Sequence, residues 1–136
     1  MRSRCCCLHP CSVRSAGGAG MSDLDLLKLA AKAAGYEVFE SGWMDAKLCL
    51  KTGEPDEDGD VPPHVLWNPL TDDGDALRLA VKLDIQVWRR SGGRVEGIHS
   101  RSVLTNPQAE SLAPCPYAAT RRTIVRAAAE IGKAMP

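Results

Sequence analysis

The run from residue 67 to residue 83, WNPLTDDGDALRLAVKL, constrains this chain more than any other stretch. It joins a tight turn, a helix start and an amphipathic helix. Pro69 stiffens the turn, Asn68 can bond its own backbone, and Trp67 is large enough to anchor the loop on a core. Thr71 is the expected helix cap. Asp72, Asp73 and Asp75 fill the first turn, where negative charge meets the positive end of the helix. Ala76, Leu77, Ala80 and Val81 are the expected buried stripe. Gly74 weakens that first turn slightly.

The same logic places the other elements. Ser22 caps a first helix, in which Leu24, Leu27, Ala31 and Ala34 recur at helical spacing until Gly35 stops it. Residues 36–40 and 43–51 read as a hairpin around Ser41-Gly42. In its second strand Met44, Ala46, Leu48 and Leu50 alternate with Asp45, Lys47, Cys49 and Lys51, which puts Cys49 on the exposed side. Residues 52–63 are a polar loop, and residues 64–66 a short extended piece. Residues 85–90 and 94–99 form a second hairpin about Ser91-Gly92-Gly93. Residues 100–116 read as a loop. A last helix opens at Ala118 or Thr120, with Ile124, Ala127, Ala128, Ile131 and Met135 on one face.

Two hairpins and three helices predict an α+β layered sandwich, with helices around a mostly antiparallel four-stranded sheet. Aromatic residues make up only 4% of the chain, so its core must be aliphatic. At 136 residues the chain has room for one domain, expected over residues 21–136.

Residues 1–20 differ from the rest. They hold four of the six cysteines (Cys5, Cys6, Cys7, Cys11) and no acid. Their Cys-Cys-Cys-Leu-His-Pro-Cys run is a poor signal-peptide core, has no C-x-x-C spacing, and sets three cysteines side by side that cannot all reach one ion without strain. Met21-Ser22-Asp23 has the form of a protein start, and Gly17-Gly18 can be encoded by a ribosome-binding sequence. Residues 1–20 are therefore expected to be a disordered leader ahead of the true start. The remaining pair, Cys49 and Cys115, gives no disulfide framework and fits a reducing cytoplasm.

Charge weakens one function class. Three of the 17 bases precede Met21 and all 17 acids follow it, so the net charge from residue 21 on is −3. A mildly acidic domain is poor material for general nucleic-acid binding. A local patch remains open: Arg89, Arg90 and Arg94 flank the second hairpin turn, Arg101 follows, and Arg121, Arg122 and Arg126 lie on the last helix, with Trp88 near enough to stack.

Other chemistry finds little support. The acidic loop Asp56-Glu57-Asp58-Gly59-Asp60 has its glycine at position 4 and Trp67 at position 12, so it fails as an EF-hand. His64, His99, Cys49 and Cys115 are scattered singly. Gly92-Gly93 lacks a phosphate-loop context, and Ser91 and Ser100 lack a nucleophile elbow. Asp72-Asp73 is explained by helix capping. No metal site, no cofactor and no catalytic residue is expected.

The Trp67-Asn68-Pro69-Leu70-Thr71 turn leading into an Ala/Leu helix resembles the phage ABA sandwich domain family. So does ATRRTIVRAAAEIGK at residues 119–133, and so does the leucine-rich opening helix ending at Gly35-Tyr36. The resemblance spans most of residues 24–135. It excludes the leader and the segment at 100–116. It implies a helix–sheet–helix sandwich encoded by a bacteriophage or prophage, and brings no catalytic residues with it.

The resulting expectation is a small, non-enzymatic accessory protein in the host cytoplasm, not membrane-bound, that acts by binding a protein partner or a second copy of itself. A nucleic-acid-associated protein using the arginine patch is the alternative. An enzyme with an unrecognised site comes third. The candidate binding residues are Trp67, Asn68, Arg89, Arg90, Arg94 and Arg122.

Overall fold

The structure is a computed structural model that describes residues 20–41, 47–50, 57–58, 65–99 and 108–136. The expectations for the leader, for Met44 and Ala46, for most of the acidic loop, and for His64 and Arg101 lie outside the described residues.

Helix α1 runs Asp23–Ala34. The Ser22 hydroxyl accepts from the Asp25 amide at 3.2 Å, satisfying one of the orphan donors of the first turn. At the other end Gly35 takes the left-handed conformation (φ 69), and its amide and that of Tyr36 bond back to Lys32 and Ala31. Both ends fall where the sequence places them, because each is fixed by a single local residue.

Strands β1 (Val38–Ser41) and β2 (Lys47–Leu50) pair antiparallel, with Val38 opposite Leu50. A two-residue strand β3 (Val65–Leu66) adds to β2, with Leu66 opposite Cys49. Cys49 is only 5% exposed, against the expectation of an outward position. It is on the central strand, with Phe39 directly across on one side and Leu66 on the other.

The chain then makes its turn. The Trp67 amide donates to the Leu48 carbonyl. The Asn68 side-chain oxygen accepts from the Leu70 amide, and the Asn68 carbonyl accepts from the Thr71 and Asp72 amides. Helix α2 follows at Asp73–Lys82. Its cap is Asp72, not Thr71: the Asp72 carboxylate accepts from the Asp75 amide at 2.8 Å. The Thr71 hydroxyl instead bonds back to the Asn68 carbonyl. Asp72→Ala should therefore cost about 1 kcal/mol of stability in a denaturant melt, with Thr71→Ala costing less. The buried stripe is also rotated from expectation. Ala76, Leu79 and Ala80 are buried, while Leu77 and Val81 are among the exposed apolar side chains.

Strands β4 (Ile85–Arg90) and β5 (Arg94–His99) form the second hairpin with the expected bounds, Arg90 opposite Arg94, closed by Gly92 and Gly93 at positive φ. Part of the expected 100–116 loop is strand β6 (Gln108–Ser111), antiparallel to β5. Helix α3 begins earlier than expected, at Pro116, and runs to Ala134. Met135 is past its end and 40% exposed.

The fold is α+β, and the described residues form three helices and two three-stranded antiparallel sheets, β1–β2–β3 and β4–β5–β6. Among the described residues the two hairpins do not join into the expected single four-stranded sheet. The second strand of each hairpin takes a local third strand, β3 or β6, as its neighbour, so β2 and β5 become sheet centres.

Helix α3 is the central element, packed on α1, α2 and the inner face of β4–β5–β6. It runs parallel to α1. Asp23 pairs with Arg122 near the start of both helices, and Lys32 bonds the Met135 carbonyl near the end of both. Ala30, Ala31, Val125, Ala128 and Ala129 are fully excluded from solvent at this interface and join Leu48, Trp67 and Leu79 in one core. Alanine-rich faces let the helix axes approach closely. Thr123, also fully buried, donates its hydroxyl to the Ala119 carbonyl. Among the described residues no helix is long and apolar enough to cross a membrane.

Candidate functional site

The candidate residues fall into three places. Trp67 is 2% exposed, edge-on to Tyr36 with ring centroids 5.9 Å apart. Asn68 is half-buried, with its side-chain oxygen bonded inside the turn and its amide donating to Asp75. Both act in the turn that seats α2, and the indole faces the core.

Arg122 belongs to a joint between α1, β6 and α3. Its guanidinium pairs with Asp23 at 3.0 Å and lies 3.9 Å from Glu110. Arg126 pairs with Glu110 as well. Arg121 bonds the Leu70 carbonyl at 2.8 Å and Asp73 at 2.5 Å, which ties α3 to the turn before α2. The α3 arginines are thus each matched with acids from distant segments. A cleft of about 250 Å³ opens beside this joint, lined by Asp23, Leu70, Glu110, Pro114, Cys115 and Arg122 among others. Its carboxylates already face arginines, and the Cys115 residue is buried. Among the described residues no three His, Cys, Asp or Glu side chains gather as a metal site would need.

The third place is the β4–β5 hairpin. Strand alternation sorts its side chains between two faces. Val95 is buried against α3, so Ile85, Val87 and Arg89 share the inner side, with Arg89 exposed near the turn. Trp88, Arg90, Arg94 and Glu96 point the other way. On this outer face Trp88 lies across from Glu96, which lies across from Ala109. Arg90 lies across from Arg94, which lies across from Ser111. The small β6 side chains leave the row low on that side.

Glu96 is the hub of the outer face. It accepts from Arg90 Nε at 2.8 Å. The Arg90 guanidinium is 5.8 Å from the centre of the Trp88 ring, within cation–π reach. The Arg90 hydrogen bond, with help from the Arg90 charge, from Trp88 and from the Arg94 charge, holds the Glu96 carboxyl below the usual glutamate range against the opposing effect of burial. A lowered carboxylate pKa favours the folded state above the unfolded value, and that contribution fades as pH falls through the lowered one. Arg90 and Arg94 are like charges directly opposite, which is unfavourable unless something neutralises them. Glu96 is bonded to Arg90 alone, and the Arg94 charge acts on it only from a distance. Neither Arg89 nor Arg94 is in an ion pair among the described residues.

The seven arginines therefore do not make one patch. Arg122 and Arg126 engage Glu110 on the covered side of β6, and Trp88, Arg90 and Arg94 lie on the open side. Arg101 lies outside the described residues. Glu96 and Glu110 were not singled out from the sequence. Their signal was positional only: Glu96 is placed on the Trp88–Arg90 side by the three-residue turn.

No family model matches the chain, and neither a curated protein nor a solved structure matches it.

Proposed function

We propose that this chain is a small phage- or prophage-encoded accessory protein that works without catalysis in the host cytoplasm, by binding a protein through the outer face of β4–β5–β6. The phage assignment rests on the resemblance at residues 67–71 and 119–133. The binding surface rests on one observation: on an exposed sheet face beside a half-buried tryptophan, Arg90 and Arg94 stand directly opposite each other, and among the described residues only Arg90 has an acid, Glu96, paired with it. Tryptophan and arginine are the side chains that most often carry interface energy. Supporting a non-catalytic reading, the charged groups of the cleft are already engaged with one another.

The test is capture from host cells with wild-type bait and with an Arg90→Ala/Arg94→Ala bait, followed by reconstitution from purified components. The wild type should hold a protein that the double variant releases. A partner held equally by both would remove this face from the site. Submicromolar, salt-sensitive binding to oligonucleotides, lost with the same two arginines, would replace the protein by nucleic acid.

A further inference from the structure

We infer that what this face receives is a short acidic peptide segment of the partner, seated with a carboxylate on Arg94 beside the Trp88 ring. This rests on the reading above and adds the partner's chemistry. The argument is charge complementarity confined to one spot. On the outer face Arg90 and Arg94 stand together next to the hairpin turn with Glu96 beside them, while Arg89 is exposed at the same turn on the opposite side. Arg90 is half-neutralised by its bond to Glu96, which leaves Arg94 as the donor fork with no ion pair of its own among the described residues. Carboxylates match that fork in a two-bond geometry. An incoming acid would also relieve the repulsion between Arg90 and Arg94 across the strand pair.

The size of the patch selects among acidic partners. From residue 21 onward the protein carries a net −3. A long polyanion that runs past the hairpin meets an acidic molecule and is repelled. A short segment touches only the arginines. A second copy of this chain docking face to face would oppose its own Arg90–Arg94 row, so like charges count against a symmetric dimer here.

The experiment is fluorescence anisotropy on the full chain with three labelled probes: a peptide alternating Glu and Val, the same peptide with Gln for Glu, and an oligothymidine of matched charge. The Glu peptide should bind about tenfold or more tighter than the Gln peptide, and weaken with added salt. Arg94→Glu should cost about tenfold or more, and Arg94→Lys should recover part of the loss. Arg94 is exposed and in no ion pair among the described residues, so removing its guanidinium takes away none of the fold's own bridges. Equal binding of the Glu and Gln peptides would overturn the acidic-segment inference. Tighter binding of the oligothymidine through Arg94 would overturn it in favour of a phosphate polymer. If the captured native partner still depends on Arg90 and Arg94 while the Glu peptide does not bind, the docking face stands and only the acidic chemistry is lost.

Discussion

Gly132→Ala is expected to destabilise the protein by about 3 kcal/mol or more, lowering its melting temperature by roughly 10 °C, or to prevent folding outright. A β-carbon at this position would lie 2.1 Å from the Leu29 carbonyl oxygen and 2.9 Å from its carbon. Those are backbone atoms in the middle of α1, so no side-chain rotation relieves the clash. One helix must slide from the other. That opens the interface in which Ala30, Ala31, Val125, Ala128 and Ala129 exclude solvent entirely. Alanine would gain helix propensity of about 1 kcal/mol over glycine, which is too little to offset the lost packing. Lys133→Ala, one residue on and exposed, is the control and should melt near wild type. An unchanged melt for Gly132→Ala would mean that α1 and α3 are further apart than described.

That contact shows what the sequence could and could not convey. Gly132 reads as a helix-weakening residue in an otherwise alanine-rich run, and nothing near it names Leu29 as its neighbour. The features legible in advance are those set by adjacent residues. Ser22 and Gly35 end α1 by local hydrogen bonds, and the glycines of the second turn fix the register of β4 with β5. The stripe of α2 was ambiguous for a physical reason. Leu77, Leu79, Ala80 and Val81 are all apolar, so two faces compete, and tertiary packing chose the one through Leu79. Strand β6 was hidden because its inward residues, Gln108 and Glu110, are polar, and Glu110 meets Arg122 and Arg126 instead of an apolar core. Sheet membership is decided by which segment returns to which edge, a non-local matter on which the two-hairpin pattern is silent. The arginines were visible from the outset. Which of them are occupied depends on Asp23, Asp73, Glu96 and Glu110, acids drawn from α1, α2, β5 and β6.

Trp67→Ala is expected to cost about 3–5 kcal/mol. The indole is 2% exposed, and its ring edge meets Tyr36, which also carries Lys82 over its face at 4.3 Å to the ring centre. Removing it leaves a cavity between α1, β2 and the turn that starts α2, and the turn's own bonds depend on that seat. Asn68 must stay placed to accept from Leu70 and to donate to Asp75, and Asp75 must stay placed to receive Arg78. The loss should therefore propagate into α2. Hydrogen exchange of the amides in residues 73–82 should speed up more than that in β4 and β5. Trp67→Phe keeps an aromatic ring on Tyr36 and should recover much of the stability. An unchanged denaturant midpoint for Trp67→Ala would show that the turn is not seated by its indole, and would return Trp67 to the list of contact residues. The same pair of variants separates fold from function. Trp67→Phe should retain the captured partner, since its side chain faces the core. Trp88→Ala, on the open face, should lose that partner while its melting temperature falls less than that of Trp67→Ala.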